Sequence, residues 1–181
     1  MMKSALLVID VQDSFLHRDD WSDADFPAFS ASICRLISGC EALEIPVVDI
    51  FHVSEGLFAP DSGYVKRMSF LRHTAAKTAH KHVHNALADS SLSDWLIEEA
   101  IGRLIICGMR TEQCCETTAR VARDSGFEVQ FVSEATLTFA MQWQGREYTA
   151  DEIRQHTSMV LNGRFADVCT VDECLQRQGL C

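Results

Sequence analysis

The chain lacks the marks of several protein classes. No two of its eight cysteines form a Cys-x-x-Cys pair; they stand at positions 34, 40, 107, 114, 115, 169, 174 and 181. Scattered through core-like segments, they read as reduced, mostly buried thiols rather than a disulfide framework. No apolar run approaches the roughly 20 residues that cross a bilayer. The first one, Leu6-Leu7-Val8-Ile9, is too short for a signal peptide and ends in an acid, Asp10, so a cytoplasmic location is expected. Cations are scarce. Sixteen Lys and Arg face 26 Asp and Glu, a formal net charge of -10. Such a chain suits neither phosphate backbones nor anionic lipid, and neither nucleic acid nor membrane is expected as a partner. Repeats and low-complexity tracts are also missing.

What is present is a chain of 181 residues, 47% apolar, enough for the core of one domain spanning 1–181. Continuous apolar runs read as strands buried on both faces: 6–9, 46–51, 104–107, 128–132 and a short 166–170, with a weaker strand at 78–81. Helices are predicted over 26–43, 92–100, 112–125 and 150–161. Segments 53–77 and 134–150 show no period and read as long, functional loops. The alternation predicts an α/β fold, a three-layer αβα sandwich around a doubly wound, mostly parallel, Rossmann-like sheet of order 3-2-1-4-5-6. Ligands bind at the carboxyl ends of such strands, beside the switch point between strands one and four.

One acid and one thiol fall there. Asp10 ends the first strand, and Gly108-Met109-Arg110-Thr111-Glu112-Gln113-Cys114-Cys115 follows the fourth. A tight turn that starts a helix at Cys114 would lay its sulfur over unpartnered N–H groups, where the helix dipole favours thiolate. Thr111 is the expected N-cap. The N–H groups of Cys114 and Arg110 are candidate oxyanion donors for acyl transfer. No histidine is placed as the base, so Asp10 is the candidate for moving the thiol proton. Cys115 shares a helix face with Ala119 and Ala122 and reads as packing.

Residues 7–15, LVIDVQDSF, and 108–119, read as G-x-x-T-x-x-C-x-x-x-T-A, closely resemble the isochorismatase-like cysteine hydrolases, a superfamily of nicotinamidases, N-carbamoylsarcosine amidohydrolases and isochorismatases. The resemblance covers most of the chain, including Leu161 to Ala166, and fades in the two irregular stretches. It implies a catalytic triad of Asp10, Lys81 and Cys114, with Lys77 the poorer-spaced alternative for the lysine. It implies a cis peptide between Met109 and Arg110 that turns the Arg110 N–H toward an oxyanion. A homodimer or homotetramer is also implied. Phe15 and Trp143 are candidate substrate-binding walls or ordinary core. The Arg110 side chain either meets a substrate carboxylate or points to solvent.

His80, His82 and His84 alternate and would line one strand face, where solvation is the expectation. Nicotinamidases hold a metal with an Asp-x-His pair after the second strand. Here the segment reads Asp49-Ile50-Phe51-His52, out of register, so neither a metal nor a cofactor is expected. The leading expectation is a cysteine hydrolase that cleaves a C–N bond of a small amide or carbamoyl compound through a Cys114 thioester. The alternatives are vinyl-ether hydrolysis of the isochorismatase type, which often dispenses with the cysteine, and a non-catalytic binding protein on the same fold.

Overall fold

A computed structural model describes residues 2–179. Cys181, one of the eight cysteines, lies outside the described residues. Six parallel strands form one sheet: β1 (Lys3–Ile9), β2 (Val47–His52), β3 (Lys77–Lys81), β4 (Ile101–Met109), β5 (Glu128–Leu137) and, at the far edge, β8 (Asp167–Cys169). Their order, β3-β2-β1-β4-β5-β8, is 3-2-1-4-5-6 along the sheet. Every pairing is parallel.

The apolar runs form strands because both faces of the sheet are covered. Leu6 and Val8 point to one side, where Phe29, Ile33, Leu36 and Ile37 of α1 (Phe26–Ala42) and Cys174 of α5 (Val171–Gly179) pack on them. Ala5, Leu7 and Ile9 point to the other. There they meet Leu92 and Leu96 of α2 (Ser90–Glu98), Ala119 and Ala122 of α3 (Glu116–Asp124) and Leu161 of α4 (Ala150–Leu161). This is the period-two alternation of a strand, hidden in the sequence because both sets are apolar. Asp89 caps α2 by accepting from the Leu92 N–H, and Thr149 with Glu152 forms a capping box on α4. Among the described residues, no helix is long and apolar enough to cross a membrane.

Several local expectations change. β5 runs to Leu137, five residues past the predicted end, with a register irregularity against β4 between Ile106 and Gly108. The rest of the second irregular stretch holds a hairpin, β6 (Met141–Trp143) paired antiparallel with β7 (Arg146–Tyr148). Gln144 and Gly145, both at positive φ, make its two-residue turn. The helix after β4 is not regular from its start: Thr111–Cys115 forms one turn of π-helix before α3 begins. Such insertions recur at functional sites. Thr111 does not cap it; its hydroxyl donates to Thr136 Oγ1 at 2.9 Å. α5 lies where no element was predicted.

The backbone is tightest where β1 and β4 end side by side. Ile9 pairs with Gly108, and Gly108 has φ of +118°. A Cβ there would stand 2.0 Å from the Ile9 carbonyl oxygen, so only glycine fits. Gly108→Ala is expected to cost about 3 kcal/mol or more, lowering Tm by about 10 °C for a chain of this size. Thermal unfolding checks it, and an unchanged Tm would show that the strand ends can separate cheaply.

Candidate active site

Four strand ends converge. Asp10 follows β1, with φ of +54°, a conformation that aspartate tolerates better than most residues. His52 and Lys81 end β2 and β3 and face each other in register. Cys114 lies in the π-turn after β4, and the Met109–Arg110 peptide leading into that turn is cis. β3 and β1 are separated by β2, so their backbones lie about 9–10 Å apart. The Lys81 stem crosses under the end of β2, and its ammonium reaches Asp10 Oδ2 at 2.8 Å. A shorter side chain would not reach.

Lys81 Nζ is the hub. Besides Asp10 it contacts Cys114 Sγ at 3.3 Å and His52 Nδ1 at 3.1 Å. The side chains of Lys81 and Asp10 are both fully buried. Asp10 Oδ1 is buried with no hydrogen-bond partner among the described residues; it is the carboxylate oxygen open to a proton. Asp10, His52 and Cys114 each offer a ligand atom within 4.8 Å of the others. The Lys81 ammonium, in contact with all three, occupies the place a metal cation would take.

Burial governs the protonation states. It raises the Asp10 carboxyl above its ordinary range, opposed by the Lys81 charge. Burial first, and the Asp10 charge second, push the Cys114 thiol up to about 12. The resting sulfur is therefore a thiol. This corrects the expectation of a thiolate stabilised by a helix end: the turn at Cys114 is not a regular helix start, and desolvation outweighs the Lys81 charge. His52 is lowered to about 4, by burial and then by Lys81. It is neutral at pH 7 and can accept from the ammonium through Nδ1.

A cleft of about 160 Å³ opens onto this cluster, lined by Asp10 and Cys114 together with Phe15, Arg18, His52, Ser54, Phe58, His84, Arg110 and Gln113. Larger hollows of about 580 and 460 Å³ lie at the opposite, amino edge of the sheet and include none of the converging groups. Phe15 stands in the wall, edge-on to Phe58 with centroids 5.1 Å apart. Trp143 does not line the cleft. It is 65% exposed, next to the turn of the β6–β7 hairpin, which overturns its placement as a substrate wall in this chain. The irregular stretch folds into an outward hairpin there rather than a loop over the cleft.

The Arg110 side chain is buried. Nη1 bonds Asp20 Oδ2 at 3.0 Å, Nε lies 3.2 Å from Glu112, and the guanidinium sits 5.1 Å from the centre of the Phe139 ring. His80, His82 and His84 are all exposed and do not share a strand face, because β3 stops at Lys81; only His84 reaches the cleft. Sequence reasoning missed Arg18, Ser54, Phe58 and Gln113 in the walls, and it weighed His52 only as a metal ligand. The signal available for His52 was its position as the last residue of a buried strand, the position that also marked Asp10.

The Isochorismatase domain family model matches residues 4–173. The Bacillus subtilis isochorismatase-family protein YddQ is 27% identical over 180 residues, covering 97% of this chain and all of that protein. Nicotinamidase 3 of Arabidopsis thaliana is 27% identical over 187 residues, covering 94% of this chain and 86% of that one. Among solved structures, one from Burkholderia xenovorans LB400, provisionally named an isochorismatase, superposes with a TM-score of 0.89 at 27% identity, covering 98% of this chain and 88% of that one. A parallel sheet of this order, with these residues gathered at its carboxyl edge, belongs to a known group of enzymes: the chain is a member of the isochorismatase family of hydrolases.

Proposed function

We propose that the chain hydrolyses a C–N bond of a small amide or carbamoyl compound through a thioester on Cys114. The observation that carries this reading is the Lys81 ammonium held 2.8 Å from Asp10 and 3.3 Å from Cys114 at the floor of one cleft. The nicotinamidase among its relatives, whose name specifies an amide substrate, supports the same bond type.

The chemistry follows from the resting charges. As Sγ attacks the carbonyl carbon, its proton passes to Asp10, whose raised affinity for protons suits a base that must later act as an acid. The C–S bond forms and the carbonyl electron pair moves to oxygen. The N–H groups of Arg110 and Cys114 receive that oxyanion, each donor contributing about 3 kcal/mol to the transition state. Asp10 then protonates the leaving nitrogen, the C–N bond breaks, and ammonia or an amine departs. Water attacks the thioester and gives its proton to Asp10. The C–S bond breaks, and the thiolate recovers the proton. Throughout, Lys81 balances whichever of the two anions is present.

Cys114→Ala is expected to lose at least about a thousandfold in kcat with little change in Tm, read by ammonia release from an amide panel and by thermal unfolding. Turnover surviving in that variant would end the thioester route. On the native enzyme, intact mass should show an acyl adduct confined to the Cys114 peptide.

The pH profile gives a second check. Asp10 must be ionised to accept the proton, and burial raises it. The acid limb of kcat/KM therefore belongs above 3.8, the ordinary aspartate value; a limb at or below it would remove Asp10 as the base. His52 supplies a stability signature. An unfolded histidine takes up a proton near 6.5, the folded one only near 4. Between those values the unfolded chain binds more protons, so this residue makes stability fall as pH drops from about 6.5 to about 4. In thermal unfolding across that window, His52→Asn is expected to lose stability less steeply than the native chain. Parallel curves would show that the imidazole stays solvated.

A further inference from the structure

We propose that the substrate carries a carboxylate of its own and that Arg18 at the cleft wall is the side chain that binds it. This rests on the hydrolase reading above and names its substrate class: small amides or carbamoyl compounds with an anionic end. Apart from Asp10, the charged side chains lining the cleft are both arginines, Arg18 and Arg110. The acids that pair with them, Asp20 and Glu112, are not part of that lining. Asp20 and Glu112 offset the two guanidinium charges at contact distance, so what the wall offers an anion is unoccupied N–H donors rather than net positive charge.

The two arginines have different duties. Arg110 is 7% exposed and each of its three nitrogens is already engaged, by Asp20, Glu112, Thr138 Oγ1 and the Phe139 carbonyl. It fixes Asp20. Asp20 in turn grips Arg18 along one edge, Oδ1 taking Nε at 2.7 Å and Oδ2 taking Nη2 at 3.1 Å. The same Oδ2 accepts from Arg110. Arg18 is thereby held over the Phe15 ring at 5.9 Å. Its other edge, Nη1 with the second hydrogen of Nη2, has no partner among the described residues. That edge is a planar two-donor fork, which matches a carboxylate bidentately. A guanidinium aligned by one acid loses less freedom on meeting a second. The cleft volume of about 160 Å³ is roughly half the lower bound of ordinary ligand pockets. The amide at Cys114 and the carboxylate at Arg18 are therefore joined by only a few bonds.

The test has two arms. In the first, kcat/KM is measured by ammonia release for pairs differing in one carboxylate: succinamate against butyramide, and N-carbamoylglycine against ethylurea. The carboxylated member should be preferred at least about tenfold, a difference of about 1.4 kcal/mol, chiefly through KM. Arg18→Gln should erase that ratio and Arg18→Lys should restore part of it. In the second arm Cys114 is alkylated by iodoacetate and by iodoacetamide, and peptide mapping gives each rate. Relative to a small free thiol, the iodoacetate-to-iodoacetamide ratio should rise in the native enzyme and fall back in Arg18→Gln. Neutral amides turned over as well as their carboxylated partners, with an alkylation ratio equal to that of the free thiol, would overturn the role of Arg18 and leave the hydrolase reading standing. No turnover of any amide, with the Arg18-dependent iodoacetate preference intact, would sink the hydrolase reading and leave the anion site.

Discussion

The site depends on one buried ion pair. Lys81 and Asp10 come from strands that are not neighbours, and their charges meet where water does not reach. An isolated charge of either sign in such a place costs several kcal/mol, and each offsets the other only at contact distance. The pair therefore fixes geometry as well as charge. It holds the end of β3 against the end of β1, with β2 between, and it sets the position from which the ammonium also touches Cys114 and His52. Packing at Gly108 works in the same direction by letting β4 end close against β1. The cleft floor is a property of the sheet rather than of the loops above it.

On the proposed thioester route, that burial decides how the nucleophile works. A helix start offers an anion about 0.3–1 kcal/mol, and about 2 in the best partly buried cases. Moving a thiolate out of water costs more, and the outcome is a thiol pushed up to about 12. Activation then belongs to the moment of attack rather than to the resting enzyme. The carboxylate beside the sulfur is itself raised by burial, so passing the proton to it is less uphill than the thiol value alone implies. In that proposal, two desolvated groups of raised proton affinity and one fixed cation serve as a proton shuttle without a histidine.

The sheet was legible because its central strands are apolar on both faces, and six of them alternating with helices leave few topologies. Asp10 and Cys114 were legible for a related reason: each interrupts or follows such a run at the edge where open sheets bind ligands. Lys81 needed the family pattern, since nothing local distinguishes a lysine that crosses beneath a neighbouring strand from one in solvent. Arg18 was invisible for the same cause. Its position depends on Asp20, and Asp20 depends on Arg110, 90 residues away. Trp143 failed in the opposite direction. A large aromatic in an irregular stretch suggested a wall, but the Gln144-Gly145 turn sends it outward on a hairpin. The thiolate expectation failed because the burial of Cys114, which nothing in the sequence reports, outweighs what a helix end or the Lys81 charge offers an anion.

The long segment between β2 and β3 carries Ser54 and Phe58 into the cleft, and two networks pin it. At its start, Gln12 accepts from the His52 N–H and donates to the His52 carbonyl and to Ser14, which bonds the Tyr64 carbonyl. Farther along, Asp49 of β2 receives Arg67 Nε at 2.8 Å and stands 2.8 Å from His73 Nε2. Asp49 and His73 are buried, so this acid is answered inside the protein as Asp10 is. The segment is thus fastened to the same strand on both sides of its cleft-facing part. Asp49 points to the face opposite Ile50, as successive strand residues must, so β2 uses one face to anchor the loop while its last residue, His52, turns to the reacting groups. A cleft wall built this way is preformed. On the proposed reading its small volume acts as a size filter on the substrate, and no binding energy goes to closing a lid before the sulfur attacks.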